Sequence, residues 1–213
     1  MTGSDTRSHF LTYNRYQKGV VILMSCQILS DVTKRYLHAY YKILDCMIHG
    51  MSDVELTDSL SYNYIVQMVP HHRAAIEMSE NLLKYTTCIP LQRIAQNIIK
   101  EQTAGIQDME EILKCCGTKV NTEQEVCQYY KNYDRITDTM FTFMGNARSG
   151  NDINCNFMRE MIPHHEGAVQ MSKNALQFPI CPELVPILKN IINTQEDGIR
   201  KMQELKRQYC GRC

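Results

Sequence analysis

The 213-residue sequence has no tryptophan, no long run of one charge and no sustained alternation of apolar and polar residues. Because period-two alternation and Asn-Gly or Asp-Gly hairpin signals are missing, β-sheet folds are disfavoured. The 23 basic residues are balanced by 23 acidic ones and do not cluster, so nucleic acid is not an expected partner. No apolar stretch is long enough for a transmembrane segment.

The apolar segment at residues 19–26 is too short to span a membrane and follows a long stretch that contains Asp5. Its end faintly resembles a lipoprotein cleavage site. We expect a cytoplasmic protein, with export as the alternative.

Sulfur is abundant, since the chain contains 13 methionines and 10 cysteines. This cysteine content is below that of small disulfide scaffolds but high for a reduced cytosolic protein. Cys210 and Cys213 form a C-x-x-C without a second pair at zinc-ribbon spacing, so a zinc site is weakly indicated. Free thiols, disulfides and metal ligands all remain open for the cysteines.

One segment of the chain occurs twice. Residues 68–79 read MVPHHRAAIEMS and residues 161–172 read MIPHHEGAVQMS, which sets an offset of 161 − 68 = 93. The same offset relates further tyrosines, methionines, cysteines and glycines, without a gap, from about residue 36 to 113 and again from 129 to 206. Two copies indicate a duplicated folding unit rather than a solenoid.

Apolar residues at alternating steps of three and four predict three helices in each copy. The first begins at Asp31 as N-cap, the second carries the repeated motif, and the third begins at Pro90 and ends at Gly117. The second set is predicted at about 124–147, 153–178 and 183–209. We therefore predict an all-α fold, a tandem duplicated antiparallel helical bundle, with an N-terminal extension (1–30), a first repeat (31–117), a linker (118–123) and a second repeat with a cysteine-containing tail (124–213).

The motif helix presents imidazole and thioether groups on one side. At 100° per residue, with Met68 at zero, His72 lies at about +40°, His71 at about −60° and Met78 at about −80°. The two imidazoles of a pair cannot reach one point without another helix, and nearby methionine stripes could supply ligands. Soft thioethers with imidazole suit Cu(I), and nothing here suits Mg²⁺ or Ca²⁺. The predicted metal ligands are Met68, His71, His72 and Met78, with Met161, His164, His165 and Met171 in the second copy.

The motif is also compatible with two roles that need no metal. A methionine stripe and buried histidines can be core residues, which would make the protein a structural or interaction scaffold without metal. Histidines can also act as general bases, but no Ser-His-Asp or Cys-His order stands out, and the Glu-x-x-His pairs of di-iron carboxylate bundles are missing. We therefore do not expect an enzyme.

The motif resembles the signature of a CopM-like domain-of-unknown-function family (DUF305) in the ferritin-like superfamily. The resemblance rests on the spacing of Asn63, Tyr64, Met68, His71 and His72 and of their counterparts 93 positions later. The resemblance covers nearly all of the chain beyond residue 30. It implies a ferritin-like helical bundle, in two tandem copies, and copper binding through histidine and methionine.

Taken together, these patterns predict a non-enzymatic bundle that holds Cu(I), or another soft or borderline metal, for sequestration or tolerance. One site is expected in each repeat. Partners open to such a protein are the metal ion and, in a homo-oligomer, further copies of itself.

Overall fold

The computed structural model describes residues 28–210, and in that range it contains six α-helices and no strand. The predicted all-α fold is confirmed. Most of the predicted N-terminal extension, residues 1–27, lies outside the described residues, as do Cys26 and Cys213. The helices are α1 (Asp31–Ser52), α2 (Leu60–Leu83), α3 (Ile89–Cys116), α4 (Glu123–Gly145), α5 (Ile153–Ala175) and α6 (Leu184–Tyr209).

Side-chain caps fix where several helices begin. The N-cap of α1 is Ser30, whose hydroxyl accepts a hydrogen bond from the Thr33 amide, so the predicted cap, Asp31, is wrong by one residue. Asp31 instead lies in the first helical turn, where a negative charge is favoured by the helix dipole. Thr122 and Glu125 form a reciprocal capping box that starts α4.

The motif helices continue through their prolines. Pro70 lies inside α2, about ten residues after its start, and Pro163 has the same place in α5. A proline in a helix interior loses one hydrogen bond and crowds the preceding turn. Both helices are packed on several sides, and this burial offsets the loss, so neither helix starts at its proline.

In the first half, α2 packs between α1 and α3. The side-chain amide of Asn81, near the end of α2, donates to the Tyr36 carbonyl near the start of α1, at 3.1 Å, so these two helices are antiparallel. Arg73 of α2 pairs with Glu110 of α3, and Tyr62, near the start of α2, approaches Gly117 after the end of α3. These neighbours make α2 and α3 antiparallel as well.

The second half repeats this order, with α5 between α4 and α6. Asn174 donates to the Tyr129 carbonyl at 3.2 Å, and these two residues lie 93 positions after Asn81 and Tyr36. The halves join through α2 against α5 and α3 against α6. The two motif helices are therefore central. The sequence of α2 favours this position, because Ile65, Val69, Ile76 and Leu83 lie beside the methionine stripe and give the helix a wide apolar surface.

One polar residue of the motif helix α2 is buried. Gln67 is only 4% exposed, whereas the polar residues Arg73, Glu77 and Glu80 of the same helix are exposed. A projection of one helix does not show this difference, because it depends on the packing of neighbouring helices.

The connection between the halves is tied to both of them. The backbone N–H of Asn121 donates to the Asp58 carbonyl, and the side-chain amide of Asn121 donates to the Pro179 carbonyl, each at 2.8 Å. Within residues 28–210, none of the helices has the length and apolar character needed to cross a membrane.

Candidate metal centre

The two histidine pairs meet in the core where α2 packs on α5. His71 and His164 are fully buried, and His72 and His165 are each 2% exposed. The ring centroids of His71 and His164 are 3.7 Å apart, with an angle of 32° between the rings. Those of His71 and His72 are 6.1 Å apart, and those of His164 and His165 are 5.9 Å apart. The two histidine pairs therefore lie in one shared core, while one site in each repeat remains a prediction.

A hydrogen bond defines the tautomer of His164. Its Nε2 lies 3.2 Å from the backbone oxygen of His71. A carbonyl oxygen can only accept, so Nε2 carries the hydrogen and donates it. In the neutral ring the lone pair is then on Nδ1, which is buried and has no hydrogen-bond partner among residues 28–210. His164 therefore presents an uncommitted σ-donor nitrogen inside the core.

The other three rings are also incompletely paired. Both ring nitrogens of His71, and Nδ1 of His72 and of His165, have no hydrogen-bond partner within the described part of the chain. A buried polar group without a partner costs roughly 1–3 kcal/mol. The core thus holds several imidazole nitrogens that make no hydrogen bond with the described part of the protein.

Burial keeps these imidazoles neutral. It lowers the pKa of His72 to about 3 and, despite the opposing bond to His71, the pKa of His164 to about 4. For His71 and His165 the pKa also lies well below its ordinary value, first because of burial and then because of the neighbouring imidazoles. Neutral imidazole is the form that binds a metal.

The motif methionines lie in the same core. Met68 and Met161 are fully buried, and Met78 and Met171 are each 1% exposed. The stripes on the flanking helices that could add thioethers are buried too, at Met47, Met51 and Met109. The methionines of the motif are thus interior residues, while the role of each methionine as a ligand remains a prediction.

Glycines on the outer helices let the histidine rings approach. A Cβ at Gly105 of α3 would lie 3.2 Å from the ring of His72, and one at Gly198 of α6 would lie 3.1 Å from the ring of His165. Glycine weakens a helix interior, yet it recurs at these two equivalent positions of segments that otherwise favour a helix. This recurrence is the signal in the sequence that could have identified the two glycines.

The imidazoles do not form a ready three-ligand site. In residues 28–210, the one group of three or more His, Cys, Asp or Glu side chains with ligand atoms within 4.8 Å of one another is Cys116, Cys181 and Glu183. The histidine core as arranged suits an ion that accepts few ligands and tolerates sulfur, rather than a cation that needs many oxygens.

A buried acid lies beside this core and was missed from the sequence. Glu160 is 1% exposed and accepts a 2.6 Å hydrogen bond from the Tyr36 hydroxyl. Burial raises the pKa of Glu160 to about 8, against the lowering effect of Tyr36. The residues 93 positions away from this pair are Gln67 and Tyr129, whose Oε1 and hydroxyl lack partners among the described residues. The repeat places the neutral residue Gln67 at the position equivalent to the acid Glu160, and this difference in charge is the signal in the sequence that could have identified Glu160.

The cysteines divide into two disulfides and several thiols. Cys116 pairs with Cys181 across the halves, and Cys155 pairs with Cys210 inside the second half. The thiols in the described range are those of Cys46, Cys88, Cys115 and Cys127. The sequence left these assignments open because both bonds join residues distant in the chain.

The chain matches a known protein family over most of its length. A profile of the family described as Domain of unknown function (DUF305) matches residues 61–206, a span that includes both histidine pairs. No curated protein sequence matches.

Solved structures with the same fold are found. CopM in a silver-bound form is 25% identical, with a TM-score of 0.53, over 73% of this chain and 98% of that one. CopM in the apo form gives the same identity and TM-score over 70% of this chain and 97% of that one. A DUF305 fragment from Deinococcus radiodurans is 20% identical, with a TM-score of 0.51, over 70% of this chain and 96% of that one.

Proposed function

The chain belongs to the DUF305 family, and from that premise we propose that it is a metal-binding helical protein that sequesters Cu(I) in its histidine and methionine core. The residues that would hold the ion come from Met68, His71, His72, Met78, Met161, His164, His165 and Met171. No reaction is assigned to the protein.

The observation that carries this proposal is the set of buried imidazole nitrogens that have no hydrogen-bond partner among residues 28–210. Five such nitrogens occur on the four motif histidines. A scaffold would be expected to pair them or to replace them with apolar groups, because each unpaired nitrogen is unfavourable. A bound ion would use the lone pairs that these neutral rings carry.

The type of ion follows from the donors. Neutral imidazoles and thioethers are soft or borderline ligands, and they favour Cu(I) over hard cations. CopM, which shares the fold, has structures with silver bound, and Ag(I) is a soft univalent ion like Cu(I). We therefore infer Cu(I) as the ion for this chain, with another soft or borderline metal as the alternative.

The architecture supports a finer proposal about origin. We propose that residues 31–117 and 124–213 are tandem copies of one ferritin-like unit, joined by 118–123. Support comes from equivalent hydrogen bonds 93 positions apart. The Asn63 side chain accepts from the Thr57 backbone N–H at 2.8 Å and donates to the Thr57 carbonyl at 2.7 Å. The Asn156 side chain makes the same two bonds with the backbone of Gly150, at 2.9 and 2.7 Å.

The direct test is an anaerobic titration with Cu(I), measured by competition with a chromogenic chelator. Thiols are first alkylated in the oxidised protein, so that only imidazoles, thioethers and other non-thiol groups can compete. The wild type should bind Cu(I), and His71→Ala and His164→Ala should each weaken binding at least about tenfold. His38→Ala, at an exposed histidine on α1, is the matched control and should bind like the wild type.

Two results would overturn the proposal. If the alkylated wild type binds no Cu(I), the histidine core is not a metal site. If the core variants bind normally but unfold more readily, the protein is a scaffold whose histidines only fill space. Size-exclusion chromatography with and without Cu(I) checks homo-oligomerisation in the same samples.

Cytoplasmic localisation remains a prediction. Disulfides are more typical of oxidising compartments, and two are present in residues 28–210. Counting alkylated cysteines by mass spectrometry after rapid acid quenching of cells would decide between the cytoplasm and export.

A further inference from the structure

The disulfide between the halves lies at a position where several chain segments meet. Cys116 is the last residue of α3, and Cys181 lies in the connection between α5 and α6. Their Cα atoms are 5.4 Å apart, and the two residues are 0% and 4% exposed. The sulfur atoms are thus enclosed and face each other across the boundary between the halves.

A carboxylate completes this group. One oxygen of Glu183, an exposed residue just before α6, lies with the two sulfur atoms inside a group whose members are all within 4.8 Å of one another. Two thiolates and a carboxylate form a ligand set that holds thiophilic cations. Because Glu183 is exposed, it also gives an ion a route from solvent to the enclosed sulfurs.

We propose that the reduced pair Cys116 and Cys181, with Glu183, is a redox-gated binding site for a thiophilic d¹⁰ cation, Cu(I) or Zn(II). In the oxidised state the sulfurs are bonded to each other and are not thiolates. A dithiol reductant would transfer two electrons and two protons to the disulfide, giving two thiols, and would itself become a disulfide. On binding, the ion displaces the two thiol protons into solvent.

The backbone around the pair is held without the S–S bond, so reduction would leave the ligands in place. The Cys181 amide donates to Ser61 Oγ at 2.9 Å, and Ser59 Oγ donates to the Cys116 carbonyl at 3.3 Å. These two bonds anchor both cysteines to the start of α2. An ion could therefore replace the disulfide as the link between the halves.

The second disulfide provides an internal contrast. A carboxylate oxygen of Asp152 lies 3.2 Å from the sulfur of Cys155. Among the described residues, however, no His, Cys, Asp or Glu ligand atom forms a group with both Cys155 and Cys210 in which all members are within 4.8 Å of one another. The positions 93 residues from Cys116 and Cys181 are Tyr209 and Cys88, so the two-cysteine arrangement is not repeated at the other end of the molecule. Within residues 28–210 the proposed site therefore occurs once.

This inference goes beyond the proposed function, because it uses none of the motif histidines or methionines. Its failure and that of the histidine core are separable: His71→Ala and His164→Ala should leave the cysteine site unchanged. If either histidine substitution abolished the extra metal binding that follows reduction, the assignment to the cysteines would be wrong.

The test again begins with the oxidised protein, whose free thiols are alkylated before the disulfides are reduced with dithiothreitol and the reagent is removed anaerobically. Cu(I) or Zn(II) is then titrated against a chromogenic chelator. Because reduction also frees the thiols of Cys155 and Cys210, the comparison is made in the Cys155→Ser/Cys210→Ser variant. Its reduced form should bind one equivalent more than its oxidised form, and adding Cys116→Ser/Cys181→Ser should remove this equivalent.

Glu183→Gln distinguishes the two ions, and it changes an exposed side chain that the fold does not depend on. Zn(II) uses the carboxylate as a ligand, so its affinity should fall about tenfold or more, whereas Cu(I) can be held by the two sulfurs and should bind as before. The metal should also raise the unfolding midpoint of the reduced wild type by roughly 5 °C or more at an excess of about 100 times the dissociation constant. Equal uptake of both ions by Cys116→Ser/Cys181→Ser and the wild type, or no gain on reduction, would overturn the proposal.

Discussion

The imidazole of His164 donates through Nε2 to the backbone oxygen of His71, at 3.2 Å, while the centroids of the two rings are 3.7 Å apart and the rings are tilted by 32°. These residues occupy the same place in the repeated motif, 93 positions apart. Their contact means that neither motif has a histidine environment of its own. Any ligand that moves one ring must alter the surroundings of the other.

Substitutions at His71 and His164 should therefore be non-additive. We expect each alanine variant to lose at least tenfold in Cu(I) affinity, about 1.4 kcal/mol, and the double variant to lose clearly less than the sum. Residues in direct contact commonly show coupling energies of about 0.5–3 kcal/mol. A double-mutant cycle in the chelator competition assay measures this coupling energy. Strict additivity would show that the motifs bind metal independently.

Two serines at equivalent positions should respond differently to substitution. Ser172 shares a 2.7 Å hydrogen bond with the Tyr64 hydroxyl. In the other copy, the residue equivalent to Tyr64 is Phe157, which has no hydroxyl. The Oγ of Ser79, the residue equivalent to Ser172, lacks a hydrogen-bond partner among residues 28–210. Ser172→Ala should lower the free energy of unfolding by about 1–3 kcal/mol, because it leaves a buried tyrosine hydroxyl unpaired, whereas Ser79→Ala should be near neutral. Urea unfolding of both variants checks this; equal losses would contradict it.

Glu160 should make stability depend on pH. Its folded pKa of about 8 is above the ordinary 4.5, so its favourable contribution is complete below pH 4.5 and is lost as the pH rises towards 8, at up to about 1.4 kcal/mol per unit. Glu160→Gln removes this loss. Urea unfolding at pH 5 and pH 8 should show the variant gaining on the wild type at the higher pH. Glu183→Gln, at an exposed acid, is the control; a parallel pH profile for Glu160→Gln and the wild type would refute the prediction.

Alanine at the two glycines beside the histidines should destabilise the protein. A Cβ at Gly105 or Gly198 would be 3.2 or 3.1 Å from a buried imidazole, which must move. Overpacking costs typically about 1–3 kcal/mol, more than the roughly 1 kcal/mol gained by replacing a helical glycine. Gly145→Ala is the matched control, since a Cβ there would meet no atom of the described residues within 4 Å. Thermal unfolding should show lower midpoints for the first two and an unchanged or higher one for the control.

The helical content could be predicted from local patterns. The three-and-four spacing of apolar residues located every helix in residues 28–210 to within a few residues, because a helix reflects its own periodicity. The ungapped offset likewise placed His71 and His164 at equivalent positions. Burial of the motif followed as well, since its apolar surface was too wide for a peripheral helix.

What only the tertiary structure decided is which surfaces meet. His71 and His164 come into contact where α2 packs on α5, and Glu160 of α5 is hydrogen-bonded to Tyr36 of α1. No pattern within one helix encodes these contacts. The disulfides Cys116–Cys181 and Cys155–Cys210 join residues 65 and 55 positions apart. Periodicity describes how one helix is oriented about its own axis; the partner across an interface depends on the packing of the whole chain.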